Sequence, residues 1–239
     1  MLTADATLVP SGQPPHVGQS FEDAPCVDCN SIAISFEVPL TPVRLRIARS
    51  AAHRTRGIFA NSLSTGSAGT AAAYATLGDA GLSDVHVIYR QQPKLVGPNH
   101  FGSRIAFDRV GHVFISQGER FDRMRAQQLD MLQGKLVRMN LDGTMPADNP
   151  FAAGPGVRRV IWSYGHRNMQ GLATDPRTGR LWESEHGPRG GDEINLPQRG
   201  RNYGWPITSD GMDYATNRPY AETIGTSAPG MESPYHVWK

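Results

Sequence analysis

Alternation of apolar and polar positions marks the clearest elements of this chain. In SDVHVIYRQ (83–91), Val85, Val87 and Tyr89 fall on one face of an extended segment. That period of two is the signature of a half-buried strand. RIAFD-RVG-HVFISQG (104–118) reads as two short strands around a turn built on Asp108 and Gly111, residues that suit a tight reversal. KLVRMNLDGTMPADNPF (135–151) sets Leu136, Arg138 and Asn140 against Val137, Met139 and Leu141, then turns at Asp142-Gly143. Further strands are expected in SIAISFEVPL (31–40), in the small-residue run STGSAGTAAAYATL (64–77), and at the start of RVIWSYGHRNMQG (159–171). GLATDPRTGRLWESEHG (171–187) reads as strand, turn, strand, and RFDRMRAQQLDMLQG (120–134) as the best helix candidate. The chain closes on SPYHVWK, a strand start with nothing after it, which reads as a fold cut short.

One of these units occurs twice. Ile105-Ala106, Asp108, Gly111, Val113-Phe114, Ser116 and Gly118 correspond to Leu172-Ala173, Asp175, Gly179, Leu181-Trp182, Ser184 and Gly187, at spacings of 67–69 residues. A repeat built from short strands points to a propeller of small antiparallel sheets. The spacing exceeds the usual ~40–50 residues of such repeats, so long loops must be included.

Composition agrees. With 26 Gly and 18 Pro in 239 residues, turns are frequent, which favours a β-rich fold over a helical bundle. A net charge of +2 gives no reason to expect nucleic acid as a partner. No apolar run approaches the ~18–20 residues needed to span a bilayer. The start lacks the basic and apolar regions of a signal peptide. Cys26 and Cys29 form a lone CxxC with no zinc-finger partner, read as incidental. Arg44, Arg46, Arg49, Arg54 and Arg56 belong to a loosely ordered basic stretch.

Three loops follow strand candidates: PNHFGSR (98–104), YGHRNMQG (164–171) and EHGPRGGDE (185–193). The last opens Ser184–Pro206, which holds five glycines and three prolines together with Asp192-Glu193, Tyr203 and Trp205. It reads equally as a site or as a long surface connection. In a propeller these loops converge at one end of the axis. They would bring together His100 as a general base, Arg167-Asn168 as polar anchors, and the Gly187-Pro188 backbone, whose carbonyls suit a hard cation. No dinucleotide-binding, P-loop or serine-hydrolase signature occurs.

The strings NHFGSR (99–104), SQGER (116–120), GKLVRMNLDGTMPADNPF (134–151), WSYGHRNMQGLA (162–173), SEHGPRGGDEINLPQRGRNYGWP (184–206) and PGMESP (229–234) resemble the soluble quinoprotein glucose/sorbosone dehydrogenases. These are the aldose sugar dehydrogenases that use pyrroloquinoline quinone (PQQ). The resemblance covers roughly residues 65–239. It implies an all-β, six-bladed β-propeller, here incomplete, with PQQ and Ca²⁺ at the top of the axis. It implies His100 as catalytic base, Arg167 and Asn168 as cofactor contacts, and Gly187 and Pro188 as carbonyl ligands of the catalytic Ca²⁺. Glu193 and Tyr203 match ligands of a further, structural calcium. An aldose would be oxidised at C1 to a lactone, with an external electron acceptor, in the periplasm or outside the cell.

On this reading, residues 62–239 are a partial sugar dehydrogenase propeller domain and residues 1–61 a poorly defined, non-family segment. The family's later lysine and arginine contacts to PQQ would follow Lys239. The chain alone is therefore expected to fold poorly and bind PQQ weakly. The competing reading is a non-catalytic propeller fragment that binds carbohydrate or protein; a third is a calcium-binding structural fragment.

Overall fold

The computed structural model describes residues 67–78, 81–97 and 99–239, with the backbone of four short strands upstream. In chain order the strands are β1 (Ser31–Ser35), β2 (Arg46–Ile47), β3 (Thr55–Ala60), β4 (Ser62–Ser64), β5 (Ser67–Gly69), β6 (Ala71–Gly78), β7 (Gly81–Arg90) and β8 (Leu95–Val96). They continue as β9 (Gly102–Phe107), β10 (His112–Gln117), β11 (Lys135–Asn140), β12 (Ile161–Tyr164), β13 (Met169–Thr174), β14 (Leu181–Glu185), β15 (Asp192–Asn195) and β16 (His236–Trp238). Among the described residues the only helical pieces are two 3-10 turns, Arg123–Gln127 and Gly156–Val160. The fold is all-β, as expected. Cys26 and Cys29 lie outside the described residues.

Two four-stranded sheets carry the architecture, in the orders β12-β11-β10-β9 and β13-β14-β15-β16. Every neighbouring pair in both is antiparallel. The repeated sequence unit is the first hairpin of each sheet, β9–β10 and β13–β14. Its turn chemistry repeats too. Asp108 Oδ1 accepts from the Val110 and His112 amides at 2.9 and 2.8 Å. Asp175 Oδ1 accepts from the Arg177 amide at 2.9 Å. Gly111 and Gly179 take the left-handed positions, with φ of 96° and 72°.

The β9–β12 sheet is covered on both faces. One face packs Val113, Ile115, Val137 and Ile161 against Ala72 and Tyr89 of β6 and β7. The other packs Ala106, Phe114 and Leu136 against Met169 and Leu181 of the next sheet. That explains why alternation along β11 does not separate core from solvent: both of its sides are buried. Polar ties join the two sheets at their inner strands. Thr174 Oγ1 donates to the Phe107 carbonyl at 2.7 Å, and Arg104 Nε to that of Gln170 at 2.6 Å. Consecutive antiparallel meanders stacked face to face are consistent with a β-propeller. The upstream sheet, β2-β1-β3-β6-β7, differs in holding a parallel pair, β1 with β3.

Three expectations are corrected. Tyr89 is 5% exposed, but Val85 and Val87 are 57% and 48% exposed. The register jumps between the Ala73–Val87 and Ala72–Tyr89 pairs, so a bulge at Ile88 flips the later residues to the other face. The terminal SPYHVWK segment is not an unpaired strand: β16 pairs antiparallel with β15 at the edge of its sheet.

Residues 120–134 form no helix beyond the short 3-10 turn. Arg120 and Phe121 sit at φ of 64° and 61°, and the loop wraps a fully buried lysine. Lys135 Nζ donates to the carbonyls of Arg125, Ala126 and Gln133 at 2.8, 3.0 and 2.7 Å. Those carbonyls turn toward the ammonium instead of continuing a helix. Lys135→Met keeps the bulk and removes every donor. It is expected to destabilise the protein by roughly 3 kcal/mol, because buried carbonyls are left unsatisfied. Urea denaturation reads the change; a loss below about 1 kcal/mol would show that the lysine does not organise this loop.

Candidate functional site

The expected convergence of loops occurs. His100, Phe121, Arg167, Asn168, Gly187 and Pro188 all line one cavity of about 1030 Å³. His100 rides on a loop held from below by Arg120. The Arg120 guanidinium donates to the Asn99 carbonyl at 2.8 Å and to that of Gly97, and lies 3.5 Å over the Phe101 ring. Burial brings Arg120 down to about 10, partly offset by Glu119. His100 takes a left-handed backbone, φ 55°, uncommon for a residue with a side chain.

Glu119 fixes the imidazole. Its Oε2 lies 2.6 Å from His100 Nδ1 and also accepts from the Phe121 amide at 3.0 Å. The His100 and Glu119 side chains are 9% and 1% exposed, and the Phe121 ring stacks on the imidazole at 4.0 Å. A carboxylate acceptor makes Nδ1 the donor, which leaves Nε2 as the basic nitrogen. Glu119 also joins the next loop, since its amide donates to the Arg167 carbonyl at 2.9 Å.

The Arg167–Asn168 turn is pinned by a second acid. Glu185 Oε2 accepts from the Arg167 and Asn168 amides at 2.7 and 3.2 Å. Arg167 Nη1 donates to the His186 carbonyl at 2.8 Å, and its Nε is buried with no hydrogen-bond partner. Asn168 Oδ1 accepts from the Gly102 amide at 3.1 Å and from Gln170 Nε2 at 3.2 Å. Its carbonyl therefore braces the His100 loop. Opposite, the Gly187 amide donates to Asp192 Oδ1 at 2.8 Å. A side chain at Gly187 would run into the carbonyl oxygens of Gly190 and Gly191, so backbone oxygens crowd this wall of the cavity.

Glu193 and Tyr203 stand apart from the cavity lining. Glu193 Oε2 accepts from Asn195 Nδ2 at 3.1 Å. Burial, with Glu185 nearby, pushes its carboxyl up to about 8. Burial and Glu185 likewise push Glu183 well above the carboxylate range. The Tyr203 hydroxyl donates to the Leu196 carbonyl at 2.6 Å and accepts from the Gln198 amide at 3.0 Å, so that hydroxyl is engaged within its own loop.

Sequence reasoning gave no role to Glu119 or Glu185, although both lie in strings it singled out. The signal was positional. Glu185 ends the second strand of one repeated hairpin, and Glu119 stands two residues past the end of the other.

A protein named aldose sugar dehydrogenase YliI from Escherichia coli strain K12 is 49% identical over 176 residues, 73% of this chain and 47% of that protein. Quinoprotein glucose dehydrogenase B of Acinetobacter calcoaceticus is 55% identical over 73 residues, 30% of this chain and 15% of that protein. A crystal structure of a glucose dehydrogenase superposes with a TM-score of 0.72 at 51% identity, covering 76% of this chain and 53% of that one. The chain thus spans about half the length of the first and third of these relatives. Residues 54–239 match the family described as Glucose / Sorbosone dehydrogenase. With the greater part of its length so matched, the chain belongs to the glucose/sorbosone dehydrogenase family.

Proposed function

We propose that this chain carries the catalytic loops of a PQQ- and Ca²⁺-dependent aldose dehydrogenase within a six-bladed propeller. The observation that carries the reading is the meeting of the His100–Glu119 pair with Arg167 and Asn168 at one cavity. The donor set suits the group. Arg167 keeps an unpartnered buried N–H, matched to an anionic oxygen, and the cavity is of the size that holds a planar cofactor with a sugar. The carbonyl-rich wall at Gly187 and Pro188 suits a hard cation.

PQQ, when bound, would supply a two-electron acceptor for the C1 hydride, to be reoxidised by an external acceptor. Ca²⁺ held at the Gly187 and Pro188 carbonyls supplies Lewis acidity. His100 Nε2 takes the proton of the C1 hydroxyl, and Glu119 stabilises the imidazolium that results. Loss of that proton together with a hydride from C1 turns the aldose into a lactone. The Arg167 guanidinium and the Asn168 side-chain amide nitrogen, on a turn that Glu185 pins through its backbone amides, face developing negative charge. Glu193 and Tyr203 are read as ligands of a separate, structural calcium.

The test is dye reduction by glucose after addition of PQQ and Ca²⁺. Sugar-dependent turnover that needs both is the expected result. A rate indifferent to PQQ would reject the reading.

A further inference from the structure

Trp205, one of the two large aromatics of Ser184–Pro206, has no part in the chemistry above. It is 5% exposed. Its backbone is tied to the turn that begins the Arg167 loop. The Trp205 amide donates to the Gly165 carbonyl at 2.9 Å, and its own carbonyl accepts from Gln127 Nε2 at 2.6 Å. That frame sets the indole against the Arg167 guanidinium, whose Cζ lies 5.3 Å from the ring centroid. A cation within about 6 Å of an indole face is attracted by the ring quadrupole, more strongly when both are withdrawn from water. Both are withdrawn here, since Arg167 is 4% exposed.

The indole is braced in turn. The Tyr220 ring meets it at 5.6 Å and 87°, the perpendicular arrangement that aromatic quadrupoles favour. The Arg123 guanidinium lies 4.4 Å over the Tyr220 ring, and Glu222 Oε1 holds its Nη2 at 2.9 Å. Two cations and two rings therefore form one ladder, with Arg167 at its inner end and Arg123 at its outer end. Arg167 lines the main cavity; Trp205, Tyr220 and Arg123 stand behind it.

Arg167 needs such a brace. Its side chain makes one hydrogen bond, from Nη1 to the His186 carbonyl at 2.8 Å, and its Nε–H has no partner. A long side chain held at one point can pivot about that point, and it loses rotamer freedom when a ligand fixes it. A flat ring behind the guanidinium confines its plane beforehand.

We infer that Trp205 is a positioning residue: its indole holds the Arg167 guanidinium in the plane that offers Nε–H to an anionic oxygen in the cavity. The inference rests on the PQQ reading only for the identity of that oxygen. The bland role for a buried tryptophan is to pack its own loop, and the two roles differ in what happens when Arg167 is absent.

Two measurements test it. The first needs no cofactor. A proton over an indole face feels the ring current, so the Arg167 Nε–H resonance of the full chain, assigned by its loss in Arg167→Gln, should lie upfield of the ordinary arginine position. Trp205→Leu should return it to that position, and Trp205→Phe, which keeps a ring face, should hold part of the displacement. A wild-type resonance at the ordinary position, or one unmoved by Trp205→Leu, overturns the proposal. The second titrates PQQ with Ca²⁺ into the full chain by calorimetry. Trp205→Leu should weaken binding about 5–30-fold, and Trp205→Phe about threefold or less. In an Arg167→Gln background, Trp205→Leu should change the affinity less than about twofold. Equal weakening in both backgrounds overturns the proposal, because a ring that only packs the loop acts without Arg167. Tyr220→Leu leaves the indole in place and should weaken binding about 2–3-fold; together with Trp205→Phe it carries the test if Trp205→Leu fails to fold. A wild type that binds no PQQ would reject the cofactor reading, and the resonance would still decide the role of Trp205.

Discussion

His100→Ala lowers aldose-dependent turnover by about 10²–10⁴-fold, the usual contribution of a positioned general base. The sugar KM should move far less, because the ring is one wall of a wide cavity and contributes little ground-state contact. The size of the effect follows from how completely the imidazole is prepared. Glu119 holds Nδ1 at 2.6 Å, Phe121 stacks on the ring at 4.0 Å, and Arg120 grips the carbonyls on either side of Pro98. The Arg120 grip does not depend on the imidazole, so alanine removes the base and its two ring contacts but leaves the loop held. Glu119 keeps the Phe121 amide as a partner, which limits the stability cost. Steady-state kinetics with PQQ and Ca²⁺ present check the prediction. A kcat within a factor of about three of wild type would remove His100 from the mechanism.

The sequence made the strands of the two central sheets legible because their turns are local. Asp108-to-Gly111 and Asp175-to-Gly179 encode their reversals within a few residues, and the repeat exposes the pair. Features set by distant partners were not legible. The bulge that buries Tyr89 and exposes Val87 depends on register against β6. The 120–134 loop follows the Lys135 ammonium, and a lysine in an alternating strand carries no mark of being buried. At the site, His100, Arg167, Asn168, Gly187 and Pro188 were named from loop position and family likeness, and all five line one cavity. Glu119 and Glu185 were missed because an acid that holds another residue looks, in sequence, like any solvated carboxylate. Only the 2.6 Å contact to His100 and the paired amides at Glu185 give them roles.

Gly118→Ala is expected to cost nearly as much activity as loss of the base, without touching a reacting group. A Cβ at Gly118 would fall on the carbonyl and Cα of His100. These are backbone atoms, so no rotamer change relieves the overlap. Nor has His100 room to retreat: its φ is 55°, and behind it the Gly102 amide is tied to Asn168. The peptide of residue 100 must move by an appreciable fraction of an ångström, and it takes the imidazole off Glu119. A displacement of about 1 Å can cost about 10²-fold in rate, and overpacking of this kind costs about 1–3 kcal/mol. Gly111→Ala is the matched control. That glycine, unlike Gly118, lies at positive φ, 96°, and a Cβ there meets nothing within 4 Å. Its cost is backbone strain of about 1–2 kcal/mol with kcat unchanged. Kinetics and urea melts on the two variants separate strain from displacement. Equal kcat in Gly118→Ala and Gly111→Ala would mean that contact with the Gly118 backbone does not place His100.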